Sequence, residues 1–197
     1  FEKASTNFMY QLQAYPTGSL APDAQFMLGE SLFKQEKYKE ALAAYGKLKN
    51  PSSPEFAALA ALHAAQSANQ LEDFKQATAL LDKFEANHPG SKVVPEALFE
   101  EAWAYQNLGQ LDVAEKLFES VTEQTDREVA ARSRFMIGEI YFQKKEHKEA
   151  IRHFFAAAVG YGYPEWQANA HFEAARCFEV LGKKDQAIKS YQEIVTK

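Results

Sequence analysis

The chain has 197 residues and a formal net charge of −5, from 22 lysines and arginines against 27 aspartates and glutamates. Basic residues occur only in short runs such as Lys144-Lys145, so the sequence lacks the clustered basic footprint typical of nucleic-acid binding. No run of about 18 apolar residues is present, and the sequence therefore predicts no membrane-spanning helix. Alanine, leucine, glutamate, lysine and glutamine are abundant and nothing alternates with period two, which predicts an all-α fold.

A small residue recurs along the whole chain at intervals of 36 or 37 residues. This alanine ladder comprises Ala4, Ala41, Ala77, Ala114, Ala150 and Ala187. A large residue follows each alanine by four positions, namely Phe8, Tyr45, Leu81, Phe118, Phe154 and Tyr191. A second small residue precedes the last five alanines by twelve positions, namely Gly29, Ala65, Ala102, Gly138 and Ala175. Because residues four apart share a helix face, each repeat is predicted to be a hairpin of two closely packed helices.

All seven prolines fall in the turns that join successive repeats, at positions 16 and 22, 51 and 54, 89 and 95, and 164, where they do not interrupt a helix interior. We therefore predict a single array over 1–197. Its parts are the second helix of a truncated repeat at 1–16, followed by repeats at 22–53, 54–90, 94–126, 127–162 and 164–197. In the first complete repeat we expect helices near 22–35 and 38–49. Gly46 would then lie inside a helix, at a cost of about 1 kcal/mol relative to alanine.

The pattern resembles the tetratricopeptide repeat family, whose motif is W-x2-L-G-x2-Y…A-x3-F…P. The best match is in the fourth repeat, at Ile137-Gly138, Tyr141, Ala150 and Phe154. The family's tryptophan is absent, and its places are taken by Gln25, Ala61, Leu98, Arg134 and His171. The resemblance covers nearly the whole chain and implies a right-handed α-solenoid, a superhelix of stacked helix–turn–helix hairpins.

The period is longer than the family's 34 residues by two or three. Similar proline-containing turns followed by an acidic residue, alanine and phenylalanine occur at 16–26 and 89–99. In these features the chain resembles the longer repeats of bacterial cell-envelope proteins of the Tol–Pal accessory and outer-membrane assembly lipoprotein types. That resemblance favours a periplasmic or cell-envelope location, with the cytoplasm as the alternative. We also expect the chain to be a fragment of a larger bacterial protein, because it opens and stops inside predicted helices.

In the family, the first helices of successive repeats line a concave groove that binds extended or helical peptides. The resemblance therefore implies groove residues at positions i, i+4 and i+7 of each first helix. The candidates are Phe26, Glu30, Phe33, Leu62, Asn69, Phe99, Trp103, Gln106, Phe135, Glu139, Phe142, Phe172 and Arg176. We expect Trp103 and Phe99 to be the strongest anchors, since aromatic residues dominate binding hot spots. Trp103 stands in an otherwise polar row of Glu30, Gln66, Glu139 and Arg176.

Two features of these helices have a purely structural alternative. The leading phenylalanines could pack on neighbouring first helices, and we favour that interpretation for Phe26, Phe135 and Phe172. Glu101 occupies an expected inward position, where a carboxylate needs a partner or a raised pKa. A small rotation of its helix would instead bring it to solvent.

The sequence carries no catalytic or cofactor motif. Its five histidines show no i, i+3 or i, i+4 pairing, and no HExxH, G-x-S-x-G or P-loop occurs. Cys177 lies at a position held mainly by small residues in the other repeats and is expected to be buried. We predict no metal, no cofactor and no enzymatic activity.

The sequence thus predicts a protein–protein interaction scaffold that binds a polypeptide partner in the groove, without nucleic acid or membrane insertion. Two alternatives stay open. One is a structural module that self-associates. The other is the regulatory arm of a larger enzyme whose catalytic domain lies outside this chain.

Overall fold

The computed structural model describes residues 1–196, and all regular structure in that range is α-helical. The predicted all-α fold is confirmed. Lys197, the last residue of the predicted fifth repeat, lies outside the described residues. The helices are α1 Glu2–Ala14, α2 Ala21–Phe33, α3 Tyr38–Tyr45, α4 Pro54–Gln70, α5 Phe74–Leu81, α6 Phe84–Asn87, α7 Val94–Asn107, α8 Leu111–Gln124, α9 Glu128–Gln143, α10 His147–Gly160, α11 Pro164–Val180 and α12 Lys184–Thr196.

The helices group into two compact units. Unit 1, residues 1–109, contains α1 to α7, and unit 2, residues 110–197, contains α8 to α12. Within each unit a helix packs mainly on its neighbours in sequence, and the first helices of adjacent repeats also touch each other, α2 with α4, α4 with α7, and α9 with α11. The first helices of the repeats are therefore α2, α4 and α7 in unit 1, and α9 and α11 in unit 2.

From Ala41 onwards the alanine ladder lies in the core of the two units, whereas Ala4 is half-buried. Ala41, Ala77, Ala114 and Ala150 are fully buried, and the large residues that follow them by four positions are buried too. The preceding small residues allow the approach: a β-carbon built on Gly29 would stand 2.5 Å from the Tyr45 ring. One built on Gly138 would stand 2.6 Å from the Phe154 ring. Each of these rings thus lies directly over the backbone of the first helix of its own repeat.

The turns between the two helices of a repeat share one left-handed residue. Positive φ angles of 58°, 58°, 75°, 62° and 71° occur at Glu36, Glu72, Gly109, Lys145 and Gly182, again 36 or 37 residues apart. In four of these turns the next amide bonds five residues back, as in Lys37 N to Leu32 O at 3.1 Å and Lys183 N to Phe178 O at 2.8 Å. This is the Schellman arrangement, which favours glycine at the left-handed position. Three of the five turns use a side chain that is strained there.

Two second helices of unit 1 are shorter than the period alone suggests. The helix expected over 38–49 ends at Tyr45, and Gly46 is its exposed C-cap. The expectation of a glycine inside this helix was therefore wrong, and no close packing explains Gly46. In the next repeat the chain breaks between α5 and α6, where Lys83 adopts a φ of 56°. Phe84, the first residue after the break, is buried.

The contact between Gly138 and Phe154 predicts that Gly138→Ala destabilises the fold. Its new β-carbon would stand 2.6 Å from the buried ring, so the ring or the helix must shift. Overpacking of this kind costs about 1–3 kcal/mol, which outweighs the gain of about 1 kcal/mol in helix propensity. Chemical denaturation measures the change. Gly160→Ala is the control, because a β-carbon there meets nothing within 4 Å. Equal stability of Gly138→Ala and Gly160→Ala would contradict the close packing of the Phe154 ring on Gly138.

At the left-handed turn position, introducing a glycine should stabilise the fold. Lys145→Gly should raise the free energy of unfolding by about 0.5–1 kcal/mol, because the φ of 62° at Lys145 is unfavourable for a residue with a β-carbon. The reciprocal variant Gly182→Ala should lower it by about 1 kcal/mol. Urea unfolding of both variants checks the pair, and a destabilised Lys145→Gly variant would rule out strain at this position.

Candidate functional site

The leading position of a first helix is position i of its candidate triplet. In unit 1 the residues at this position lie in the core. Phe26, Leu62 and Phe99 expose only 3%, 3% and 5% of their surface. The Phe26 ring stacks on Phe56 of α4, with 4.4 Å between ring centroids, which is packing on a neighbouring first helix. These three side chains present no surface to a partner.

Two of the candidate carboxamides in unit 1 are also buried. Asn69 and Gln106 expose 2% and 9% of their surface. The Asn69 amide donates to Glu100 of α7, at 2.8 Å to its carboxylate and 3.1 Å to its backbone oxygen. Asn69 therefore joins α4 to α7 rather than facing solvent.

Trp103 is half-buried and covered from within its own unit. Its ring meets Phe74 of α5 edge to face, with centroids 5.5 Å apart. Part of the indole remains accessible beside this contact. Trp103 therefore packs partly on Phe74 and is partly accessible to solvent.

In unit 2 the candidate side chains are more accessible. Phe172 of α11 exposes 46% of its surface, although its ring meets Tyr191 edge to face at 5.7 Å. Phe135 is half-buried and packs on Phe154 and on Trp166 of α11, at 5.3 and 5.6 Å between centroids. Phe135 therefore follows the structural alternative, whereas Phe172 keeps an open face.

Phe142 and Arg176 come together in unit 2. The guanidinium carbon of Arg176 lies 5.3 Å from the centroid of the Phe142 ring, within reach of a cation–π contact. Arg176 also donates to both carboxylate oxygens of Glu173, at 2.9 and 2.7 Å. Its side chain is 45% exposed, so the two first helices present a joined aromatic and charged surface.

Glu30 of α2 accepts hydrogen bonds from two other elements. The Tyr45 hydroxyl lies 2.7 Å and the His63 Nδ1 lies 2.6 Å from the same carboxylate oxygen. His63 also stacks on Phe33, with centroids 4.8 Å apart. Burial alone would raise the pKa of Glu30, but the hydrogen bonds from His63 and Tyr45 outweigh it and lower that pKa. The fold supplies donors for this carboxylate.

His63, Glu100 and Glu173 were missed by the sequence analysis, and they share one position. Each stands one residue after the leading position of its helix. The first two form hydrogen bonds to the i+4 residue of the preceding first helix, and the third interacts with it electrostatically. The pairs are Glu30 with His63, Gln66 with Glu100 at 3.1 Å, and Glu139 with Glu173. A search for complementary residues 33 or 34 positions apart would have found the first two pairs.

The third pair consists of two carboxylates whose charges repel each other. Burial and the charge of Glu173 raise the pKa of Glu139 to about 7, and the charge of Arg176 opposes them only in part. One carboxylate oxygen of Glu139, Oε1, is buried without a hydrogen-bond partner among the described residues. Phe154 occupies the ladder position that Tyr45 holds beside Glu30, and its ring carries no hydroxyl. Glu139 therefore lacks both donors that satisfy Glu30.

Glu101 of α7 is half-buried at the inward position that the sequence indicated. Burial, followed by the charge of Asp82, raises its pKa to about 7. Burial, followed by the charges of Glu101 and Asp82, raises the pKa of the nearby Tyr105 hydroxyl. The helix rotation that would have brought Glu101 to solvent is thus incomplete.

Across residues 1–196, no three His, Cys, Asp or Glu side chains lie close enough to hold a metal ion. Over the same range, no helix is both long enough and apolar enough to cross a membrane. Cys177 is buried as expected, and burial, with Glu173 and Glu139 nearby, raises the pKa of its thiol to about 12.

The comparison of Glu139 with Glu30 predicts the effect of restoring a hydroxyl. Phe154→Tyr should lower the pKa of Glu139 from about 7 towards its ordinary value of 4.5, because the new hydroxyl donates to the carboxylate. Tyr45→Phe should do the reverse and raise the pKa of Glu30. Side-chain carboxyl 13C NMR during a pH titration measures both values.

Phe154→Tyr should also change the pH dependence of stability. With its pKa raised, Glu139 binds a proton more tightly in the folded state, so its contribution to stability falls as the pH rises from about 4.5 to about 7. In Phe154→Tyr the free energy of unfolding should decrease less over this pH range. An unchanged titration of Glu139 would show that the missing hydroxyl is not the cause.

Two sequence models described as tetratricopeptide repeat match the chain. One matches residues 99–165 and the other matches 23–53 and 169–197, so together the matched ranges span well over half of the chain. A comparison with curated proteins finds no match. The finer resemblance to cell-envelope repeats receives no support from these matches.

Solved structures with the same fold include MamA, with 17% identity, a TM-score of 0.71 and coverage of 86% of this chain and 93% of that one. A fragment of MamA from Desulfovibrio magneticus has 13% identity and a TM-score of 0.72, and the match covers 91% of this chain and 95% of that one. Repeats of a protein described as a kinesin light chain of Podosopora anserina have 16% identity and a TM-score of 0.68, and the match covers 88% of this chain and 93% of that one. At these identities the likeness shows the fold alone. The ladder, the helical hairpins and the matching sequence models together place the chain in the tetratricopeptide repeat family.

Proposed function

We propose that the chain is a non-enzymatic scaffold that binds a polypeptide partner along the surface of its first helices. Tetratricopeptide repeats generally mediate protein–protein interaction, and their fold is typically a scaffold without catalysis. The proposal rests mainly on one observation. The leading positions of the stripe in unit 1 are buried, whereas the later positions in both units keep aromatic and charged side chains accessible.

In unit 2 the accessible surface has the composition of a binding site. Phe172 is 46% exposed, and Arg176 and Phe142 lie together beside it on the same pair of helices. Aromatic residues and arginine carry most of the energy at protein interfaces. Ala174 and Ala175 of α11 are fully buried, so the open residues line one face of a helix that is otherwise packed.

In unit 1 the accessible candidates are held by contacts within the unit. Glu30 and Phe33 of α2 and Trp103 of α7 are half-buried, and their hydrogen-bonding and ring partners lie within the unit. These contacts hold the side chains in fixed positions before a partner arrives. Pre-organised side chains reduce the entropy lost on binding.

The proposal predicts that Phe172→Ala/Arg176→Ala weakens partner capture by about tenfold or more, as expected when hot-spot residues are truncated. The double variant should keep its helical circular dichroism, because both side chains are about half exposed. The measurement is quantitative capture of partners from a cell extract by immobilised protein, followed by mass spectrometry.

Val113→Ala/Ile188→Ala is the matched control. It removes two apolar side chains of similar exposure, 41% and 54%, from the second helices α8 and α12. Loss of the same partner in both double variants would point to a general apolar effect. Equal capture by the wild type and Phe172→Ala/Arg176→Ala would reject the surface in unit 2.

Self-association is a second candidate, favoured by the apolar surface around α1. Phe1, Tyr10, Tyr15 and Leu20 expose between 61% and 71% of their surface. Monomeric proteins rarely expose several large apolar side chains in one region without a function. Copies of the chain recovered as the main captured protein would favour this candidate over a different partner.

A further inference from the structure

A cavity of about 590 Å³ opens between two segments of unit 1. One wall is the first part of α4, from Pro54 to Leu59, and the other is the chain from Asn87 to Val93, which leads from α6 to α7. None of the lining residues belongs to the candidate stripe of the first helices. The volume falls within the range of about 300–1,000 Å³ that is typical of small-molecule sites.

The wall formed by residues 87–93 is fixed by contacts within the chain. The His88 amide donates to Phe84 O at 2.9 Å, and the Ser91 amide donates to His88 O at 3.1 Å. The second bond closes a turn in which Gly90 adopts a φ of 73°, a conformation that glycine reaches without strain. The His88 ring also packs on the buried Phe84 ring, with centroids 4.6 Å apart. This wall therefore has a defined position.

The wall formed by α4 is anchored as well. The Ser53 hydroxyl caps the helix by accepting a hydrogen bond from the Phe56 amide at 3.1 Å, and Pro54 follows at the start of the helix, where its fixed φ suits the first turn. Leu59 packs against the buried cluster that contains Phe26. The two walls thus form the cavity without a ligand, as is usual for small-molecule sites.

The lining combines apolar surface with a few polar groups. Hydrocarbon surface comes from Pro54, Leu59, Pro89 and Val93. Asn87 and Ser91 add an amide and a hydroxyl, which can each donate and accept a hydrogen bond. In binding sites of this composition the apolar surface supplies the driving force, and the polar groups fix the orientation of the ligand.

The charged groups of the lining do not favour an ionised ligand of either sign. They are one carboxylate, Glu55, and one ammonium group, Lys92. Burial lowers the pKa of His88 below its ordinary value of 6.5, so its imidazole is neutral at pH 7. Transfer of an ion from water to an apolar site is costly unless an opposite charge compensates it, and this lining has no excess charge to do so.

We propose that this cavity binds an uncharged aromatic small molecule that carries one hydrogen-bonding group. The ring packs on the apolar side chains, and its polar substituent bonds to Asn87 or Ser91. A rigid ring loses less conformational freedom on binding than a flexible aliphatic chain of the same size. This inference goes beyond the proposed function and is independent of it, because the cavity shares no residue with the proposed polypeptide surface.

A metal ion or an inorganic anion fits the cavity less well. In the part of the chain from residue 1 to residue 196, no three His, Cys, Asp or Glu side chains are close enough to bind a metal. A phosphate ion would find a single ammonium group, that of Lys92, beside a carboxylate. An uncharged ligand avoids both problems.

The test records 1H–13C NMR spectra of the full chain at pH 7 during titration with indole. The probe is added to about 10 mM, ten times the dissociation constant of roughly 1 mM that is reasonable for so small a ligand. We expect the methyl signals of Leu59 and Val93 to shift until they saturate, with intermolecular NOEs from indole protons to the same methyl groups. Benzoate and benzylamine, which are charged, and hexan-1-ol, which is flexible, should bind at least about threefold more weakly.

A pair of matched variants tests the location of the site. Glu55→Trp places a large ring on the exposed rim of the cavity and should weaken indole binding by about fivefold or more, because the two rings compete for the same space. Glu165→Trp is the control. Glu165 also follows a proline in the first turn of a 17-residue helix, α11, and is exposed, so this variant should bind indole as the wild type does.

Several results would overturn the inference. They are shifts that stay linear to about 10 mM, where a ligand of this size should saturate its site, absence of NOEs to Leu59 and Val93, or binding of benzoate, benzylamine or hexan-1-ol as tight as that of indole. Equal indole affinity of folded Glu55→Trp and Glu165→Trp would also overturn it. If Glu55→Trp does not fold, the NOEs in the wild type decide.

Discussion

The contact between a ring and a glycine on the facing helix governs the packing of the first and fourth repeats. Gly138 under Phe154 and Gly29 under Tyr45 leave no room for a β-carbon. This close approach fixes how the two helices of a hairpin lie against each other. The direction of the hairpin then decides which side chains of the first helix face the next repeat and which remain open.

That constraint explains why polar residues on adjacent first helices meet in a regular way. The i+4 residue of one helix faces the residue after the leading position of the next, as Glu30 faces His63 and Gln66 faces Glu100. The paired positions correspond in each case, so the chemistry differs with the two side chains that occupy them. In the repeat that contains Glu139 the pair is mismatched, and the mismatch leaves a carboxylate without an internal donor.

Much of the fold follows from the sequence, because the ladder encodes helix faces directly. Spacing alone identified Ala41 and Ala150 as core positions, and the resemblance to the family favoured packing between helices for Phe26. The end of α3 at Tyr45 and the break at Lys83 could not be predicted. Both depend on local turns rather than on the period. Helix ends are set by capping and left-handed residues, which a repeat pattern does not specify.

The candidate surface was predictable only in part. Position in the repeat named thirteen residues, but five of them, Phe26, Leu62, Asn69, Phe99 and Gln106, are buried. Whether a residue at such a position faces solvent depends on the side chains of the adjacent helices, as Phe56 covers Phe26. Pairs 33 or 34 residues apart, such as Glu30 with His63, likewise require the inter-helix geometry, which no single repeat contains.

The packing of each helix on its neighbours in sequence has a consequence for folding kinetics. Contacts within a unit join residues that are close along the chain, so little loop entropy is lost before a contact forms. Proteins of this kind have low contact order and fold rapidly. Since each repeat interacts mainly with the next, folding can begin in any hairpin and extend along its unit. The order of events should then reflect the local stability of hairpins, and the repeat interrupted at Lys83 is the one expected to form last in unit 1.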